Sequence, residues 1–99
     1  MVDSDLSQIQ RRLREELPLL SQRFDVDSLR LFGSRVRQEH RPDSDLDVLV
    51  NFRRVPGLFR FVELENHLSE VLGVKVDLVM TEALKPRIRE RILHEVVSV

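Results

Sequence analysis

Asp45 and Asp47 stand two residues apart in a run, Asp45 to Phe52, that is otherwise mostly apolar and rich in valine and leucine. The run reads as a β-strand, on which side chains two apart leave the same face. Carboxylates spaced this way can bind hard cations held about 3.5–4 Å apart, the arrangement used for in-line displacement at phosphorus. Left without cations they repel, and one of them would neutralise. Asp77 lies between Val76 and Leu78 in a further strand-like run, an awkward place for an acid without a partner. If that strand pairs beside the second, Asp77 becomes a third metal ligand. Upstream, Gly33 and Ser34 close one strand and open a helix. Glycine lets the backbone approach a phosphate, and a helix start offers unsatisfied N–H groups. Arg35 and Arg37 flank this turn and suit phosphate oxygens.

Each feature also has a plainer explanation. Asp-x-Asp after a Pro-Asp turn is common turn chemistry, and Gly-Ser after a strand is commonly just a turn. Asp77 could pair with Lys75, and the two arginines could form a solvated helix face. The joint pattern is far more specific: Gly-Ser, ten residues, Asp-x-Asp, and then a third strand carrying another Asp. The segments LFGSRVRQEHRPDSDLDVLVNF and VKVDLVM resemble the minimal nucleotidyltransferase family of the DNA polymerase β-like superfamily, and the resemblance spans almost the whole chain.

That resemblance implies a polymerase β-like nucleotidyltransferase core, two Mg²⁺ ions, and ATP as the substrate from which AMP is transferred. By position, Asp45, Asp47 and Asp77 match the catalytic, metal-holding carboxylates, with Asp77 also helping to deprotonate the acceptor. Gly33 and Ser34 match the contacts to the outgoing phosphates, and Arg35 and Arg37 the basic positions beside them. One departure is visible. The family often has Gly after the second Arg, where this chain has Gln38, and a local change in the loop is expected there. Relatives of this kind are encoded beside a helical HEPN-type ribonuclease toxin and silence it by attaching AMP to a tyrosine. The resemblance therefore implies a protein adenylyltransferase acting as an antitoxin in a hetero-oligomer. The alternatives are an antitoxin that works by occlusion, and a transferase for a small molecule with a helper subunit. The sequence contains no tyrosine, so a tyrosine acceptor must belong to another molecule. With no chain to spare for an acceptor domain, the acceptor is expected to be held by a docked partner.

The elements that must position these residues are legible as periodicities. Leu6, Ile9, Leu13, Leu17 and Leu20 form the stripe of an amphipathic helix, capped by Asp3, Ser4 or Asp5, with Pro18 predicting a kink or a break near Leu17. A strand follows over Val26 to Phe32, then a short helix over Arg35 to His40 and a turn at Arg41 to Ser44. The second strand sets Asp45, Asp47 and Leu49 on one face and Leu46, Val48 and Val50 on the other. A helix begins at Pro56-Gly57 and closes at Gly73, and a third strand covers Val74 to Met80. Leu84, Ile88, Ile92 and Val96 mark a last helix with Pro86 in its first turn, and Val96 to Val99 either end it or add a short strand. This order implies an α/β fold of mixed α+β type: a small mixed sheet covered by helices, in a single domain over residues 1–99.

Composition narrows the class. Of 99 residues, 16 are Lys or Arg and 17 Asp or Glu, so the net charge of -1 gives no case for coating nucleic acid or docking on an anionic membrane. No apolar run approaches the roughly 20 residues that span a bilayer, and the polar, acidic start is unlike a secretory signal. The absence of cysteine excludes disulfides and thiolate chemistry and fits a cytoplasmic protein. His40, His67 and His94 lack ligand spacing, although His40 is near enough to Asp45 in sequence to touch nucleotide. The five phenylalanines sit at positions suited to core packing. Lys85, Arg87, Arg89 and Arg91 form a basic stretch, read as a solvated face balanced by Glu90 and Glu95.

Overall fold

The apolar stripe of the first helix decides which face of the sheet becomes core. In the computed structural model, which describes residues 6–39, 41 and 43–99, helix α1 spans Leu6–Phe24 and buries Ile9, Leu13, Leu20 and Phe24. Pro18 does not break it, contrary to expectation. An interior proline costs about 3 kcal/mol. Burying Leu20 and Phe24 beyond it recovers roughly 1.5–3 kcal/mol each, which is enough to carry the helix on. The expected cap at Asp3, Ser4 or Asp5 lies outside the described residues, as does His40.

The chain continues through β1 (Val26–Phe32), α2 (Ser34–Arg37), β2 (Leu46–Phe52), α3 (Leu58–Leu72) and β3 (Val76–Met80). A 3₁₀ turn at Thr81–Ala83, α4 (Pro86–Glu95) and β4 (Val97–Ser98) complete it. The sheet order is β3-β2-β1-β4. β2 runs antiparallel to β1 and parallel to β3, and β4 pairs antiparallel with β1. The sheet is therefore mixed, as expected, and Val97 and Ser98 form a short strand after the last helix. Alternation places Val48 and Val50 of β2, Leu29 and Leu31 of β1, and Val76 and Leu78 of β3 in one core with α1 and with Leu64 and Leu68 of α3. Phe24, Phe32 and Phe52 are buried as expected, but Phe59 is 90% exposed and packs no core.

β3 is an edge strand whose outward N–H groups would otherwise be unpaired. Helix α3 closes that edge with side chains: the Val76 N–H donates to Ser69 Oγ and the Leu78 N–H to Glu65 Oε2, both at 2.9 Å. The residue between them is Asp77. The strand is thus held from both sides at the point where it carries its acid.

Three boundaries move. β2 begins at Leu46 rather than Asp45, and β3 at Val76 rather than Val74. The start of β2 is set by a bond from the Leu46 N–H to the Lys75 carbonyl at 2.8 Å. α2 is a single turn, because Gln38 adopts a left-handed conformation (φ 59°, ψ 35°) that caps it. Gln38 stands where the resembled family often has glycine. The backbone keeps the shape that glycine would favour, so the loop is not remodelled and the strain is borne by glutamine. A left-handed residue with a Cβ costs roughly 1–2 kcal/mol, offset in part by the greater unfolded-state entropy of glycine. Gln38→Gly is therefore expected to stabilise the protein by about 0.5–1 kcal/mol, a rise of several degrees in Tm measured by thermal unfolding. An unchanged or lower Tm would show that the conformation is not strained.

Candidate active site

Strand register brings the acids together. Phe32 of β1 lies opposite Asp47 of β2, and Asp47 lies opposite Asp77 of β3. Directly opposed residues share a face, so Asp47 and Asp77 stand side by side on the sheet face away from the α1–α3 core. Asp45 sits one residue before the strand, half-buried. It is not on the strand as the spacing predicts, but its charge still acts on Asp47.

Asp47 is the strained member. Its carboxyl is pushed up to about 6, first by burial, then by the negative charges of Asp77 and Asp45; Arg37 opposes this and Glu95 adds to it. Three carboxylates thus act on one another with too little compensating positive charge, and their oxygen donors suit hard divalent cations. Among the described residues, no three His, Cys, Asp or Glu side chains are gathered tightly enough to cage an ion by themselves. Further oxygen ligands would have to come with the ion.

Gly33 closes over this group. A Cβ at this residue would lie 2.0 Å from Asp47 Oδ2, and its φ is 88°. Sterics and backbone conformation both require glycine here. Ser34 begins α2, a single turn that contributes little helix dipole and carries the two arginines. These two diverge. Arg37 is exposed, with its Nε donating to Glu39 and its Nη1 to Glu95. Arg35 is 5% exposed and turned inward: Nε and Nη2 donate to the Ser44 carbonyl at 3.1 and 2.8 Å, while Nη1 is buried with no partner among the described residues. Arg35 therefore clamps the residue before Asp45. The sequence pattern alone does not distinguish the two roles.

Sequence reasoning missed three contributors. Glu65 and Ser69 hold β3, and Glu95, read as balancing its own basic helix, instead reaches Arg37 and the Gly33 N–H. None had a local signal, since Glu95 acts 62 residues from Gly33. No described helix is long and apolar enough to cross a membrane.

Comparison with known proteins identifies the family and the fold. The nucleotidyltransferase domain pattern matches residues 8–99. Protein adenylyltransferase MntA of Thermococcus cleftensis is 45% identical over 94 residues, which is 95% of each chain. A solved structure provisionally described as a minimal nucleotidyltransferase is 38% identical, with a TM-score of 0.80 over 96% of both chains. The fold is shared with a chain of a Shewanella oneidensis complex between a tri-AMPylated HEPN toxin and its MNT antitoxin (TM-score 0.66, 20% identity, 91% of this chain and 70% of that one).

The crowding at Asp47 makes a prediction about pH. Its folded pKa of about 6 lies above the ordinary 3.8. Between these values the folded state holds a proton that the unfolded state has lost, so ionising Asp47 destabilises the fold as pH rises through that window. Asp47→Asn should raise Tm at pH 7, and the gain should disappear as pH falls from about 6 to 4. Paired melting curves across that range measure this. A gain independent of pH would mean that charge crowding is not its source.

Proposed function

This chain belongs to the nucleotidyltransferase domain family, and from that premise we propose that it is an ATP- and Mg²⁺-dependent protein adenylyltransferase. In this reading it transfers AMP to a tyrosine of a cognate HEPN-type toxin and so acts as the antitoxin. The observation that carries the reading is the register that sets Asp47 beside Asp77 while Gly33 packs on Asp47. The 45% identity to a named protein adenylyltransferase over nearly all of both chains supports the activity. The fold shared with the antitoxin of an AMPylated HEPN toxin supports the partner.

The residues divide the work. Asp45, Asp47 and Asp77 would hold two Mg²⁺ ions, with phosphate oxygens completing the ligand set that these acids do not close alone. Bound Mg²⁺ supplies charge neutralisation for the phosphates and the developing transition state. Asp47, the most crowded acid, would gain most from that neutralisation. Asp77, which is exposed on β3, would accept the proton of the incoming hydroxyl. Gly33, Ser34 and Arg37 receive the outgoing phosphates, and Arg35 positions Asp45 through the Ser44 carbonyl. In the transfer, the acceptor oxygen bonds to the α-phosphorus, the bond to the β-phosphate oxygen breaks, and pyrophosphate leaves in line. In-line attack requires the oxygen about 3–3.5 Å from phosphorus. These 99 residues contain no tyrosine, so a partner must bring it there.

The experiment is intact-mass analysis of the protein incubated with ATP and Mg²⁺, alone and with its partner. AMP increments should appear on the partner and not on this chain, and Asp47→Asn should lower their rate by orders of magnitude while the protein stays folded. Adducts on this chain alone, or none on any partner despite bound nucleotide, would overturn the proposal. An Asp45/Asp47 double Asn variant that still silences the toxin would replace it with inhibition by occlusion.

A further inference from the structure

The Gly33 N–H and Arg37, two of the donors assigned above to phosphate, are already engaged. Glu95, the last residue of α4, accepts the Gly33 N–H through Oε2 at 3.1 Å and accepts from Arg37 Nη1 through both carboxylate oxygens, each at 3.1 Å. A carboxylate that takes one backbone amide and one guanidinium at once makes the contacts that a phosphate makes at such a place. The helix that brings Glu95 there is lightly held. No residue of α4 is buried, and Ile88 is 48% exposed. Between α4 and the turn lies a cavity of about 180 Å³, lined by Phe32, Gly33, Arg37, Ile88, Arg91 and Ile92 together with Glu95 itself. Arg91 has no hydrogen-bond or ion-pair partner among the described residues.

We infer that Glu95 is an internal anion occupying the phosphate seat of the nucleotide-free protein, and that an incoming triphosphate must displace it from Gly33 and Arg37. Glu95 is thus a determinant of nucleotide affinity that acts through those two residues, and Arg91, on the same cavity, is the cation left to meet the phosphates. The exchange is feasible because the seat is held weakly. The Arg37 and Glu95 side chains are 45% and 31% exposed, and ion pairs this open to solvent are readily outcompeted by a polyanion. The inference rests on the nucleotide-binding reading above.

Calorimetric titration of MgATP into the wild type, Glu95→Gln and Glu90→Gln tests it. Glu90 is an exposed acid on the same helix that does not line the cavity, so its variant removes an equal charge without emptying the seat. Glu95→Gln should bind about five- to tenfold more tightly than the wild type, and Glu90→Gln should match the wild type. Should the Glu95 variant not fold, the wild type still decides: the Glu95 carboxyl carbon resonance should move when MgATP saturates the protein. Wild-type binding with no gain in Glu95→Gln, an equal gain in Glu90→Gln, or an unmoved Glu95 resonance would overturn the inference while leaving nucleotide binding intact. Failure of all the proteins to bind MgATP would overturn both readings.

Discussion

The structure turns on a contact that would be unfavourable almost anywhere else: a half-buried Asp47 carboxylate pressed against the Gly33 backbone and facing two more aspartates. Like charges in a partly desolvated place raise one another's pKa and weaken the fold. Such crowding persists only where the surrounding structure over-determines it. Here that over-determination comes from three adjacent strands. Their register places Phe32, Asp47 and Asp77 in line, and a one-residue slip would send the carboxylates into the apolar core.

The opposite face of the sheet supplies what the site lacks. Leu46, Val48, Val50 and Phe52 alternate with the site residues along β2 and pack with α1 and α3. Burying such side chains is worth roughly 1.5–3 kcal/mol each, so the core outweighs the repulsion on the other face several times over. Specific bonds then refine the register. Ser69 and Glu65 occupy the outward N–H groups on either side of Asp77, and the buried Arg35 guanidinium ties α2 to the carbonyl before Asp45. Each joins a supporting element to the backbone next to an acid and leaves the acid's own oxygens available.

The C-terminal elements behave differently. α4 buries no residue, and β4 pairs with β1 over only Arg30–Ser98 and Leu31–Val97. Val97 and Val99 pack against the edge of the core, but α4 itself is attached through polar contacts such as the Glu95 bonds to Gly33 and Arg37. An element held this way can be displaced without unfolding the α1–α3 core. The helix that looked merely basic and solvated in the sequence is therefore the one connected to the turn over Asp47.

The sequence by itself determined the order of the helices and strands, the two faces of β2, and the Gly-Ser and Asp-x-Asp pattern with its later Asp77, because each depends on periodicity or short spacing. It misplaced what depends on competition between distant parts. Pro18 looked like a helix breaker until Leu20 and Phe24 beyond it found a core, and Asp45 looked like a strand residue until the Leu46–Lys75 bond set where the strand starts. Arg35 and Arg37 were indistinguishable as neighbours on a short helix. Only the fold turned one inward to Ser44 and left the other at the surface. Glu95, Glu65 and Ser69 had no local mark at all, because a side chain that acts on backbone N–H groups brought near it by folding has a role set by tertiary geometry and by no spacing in the chain.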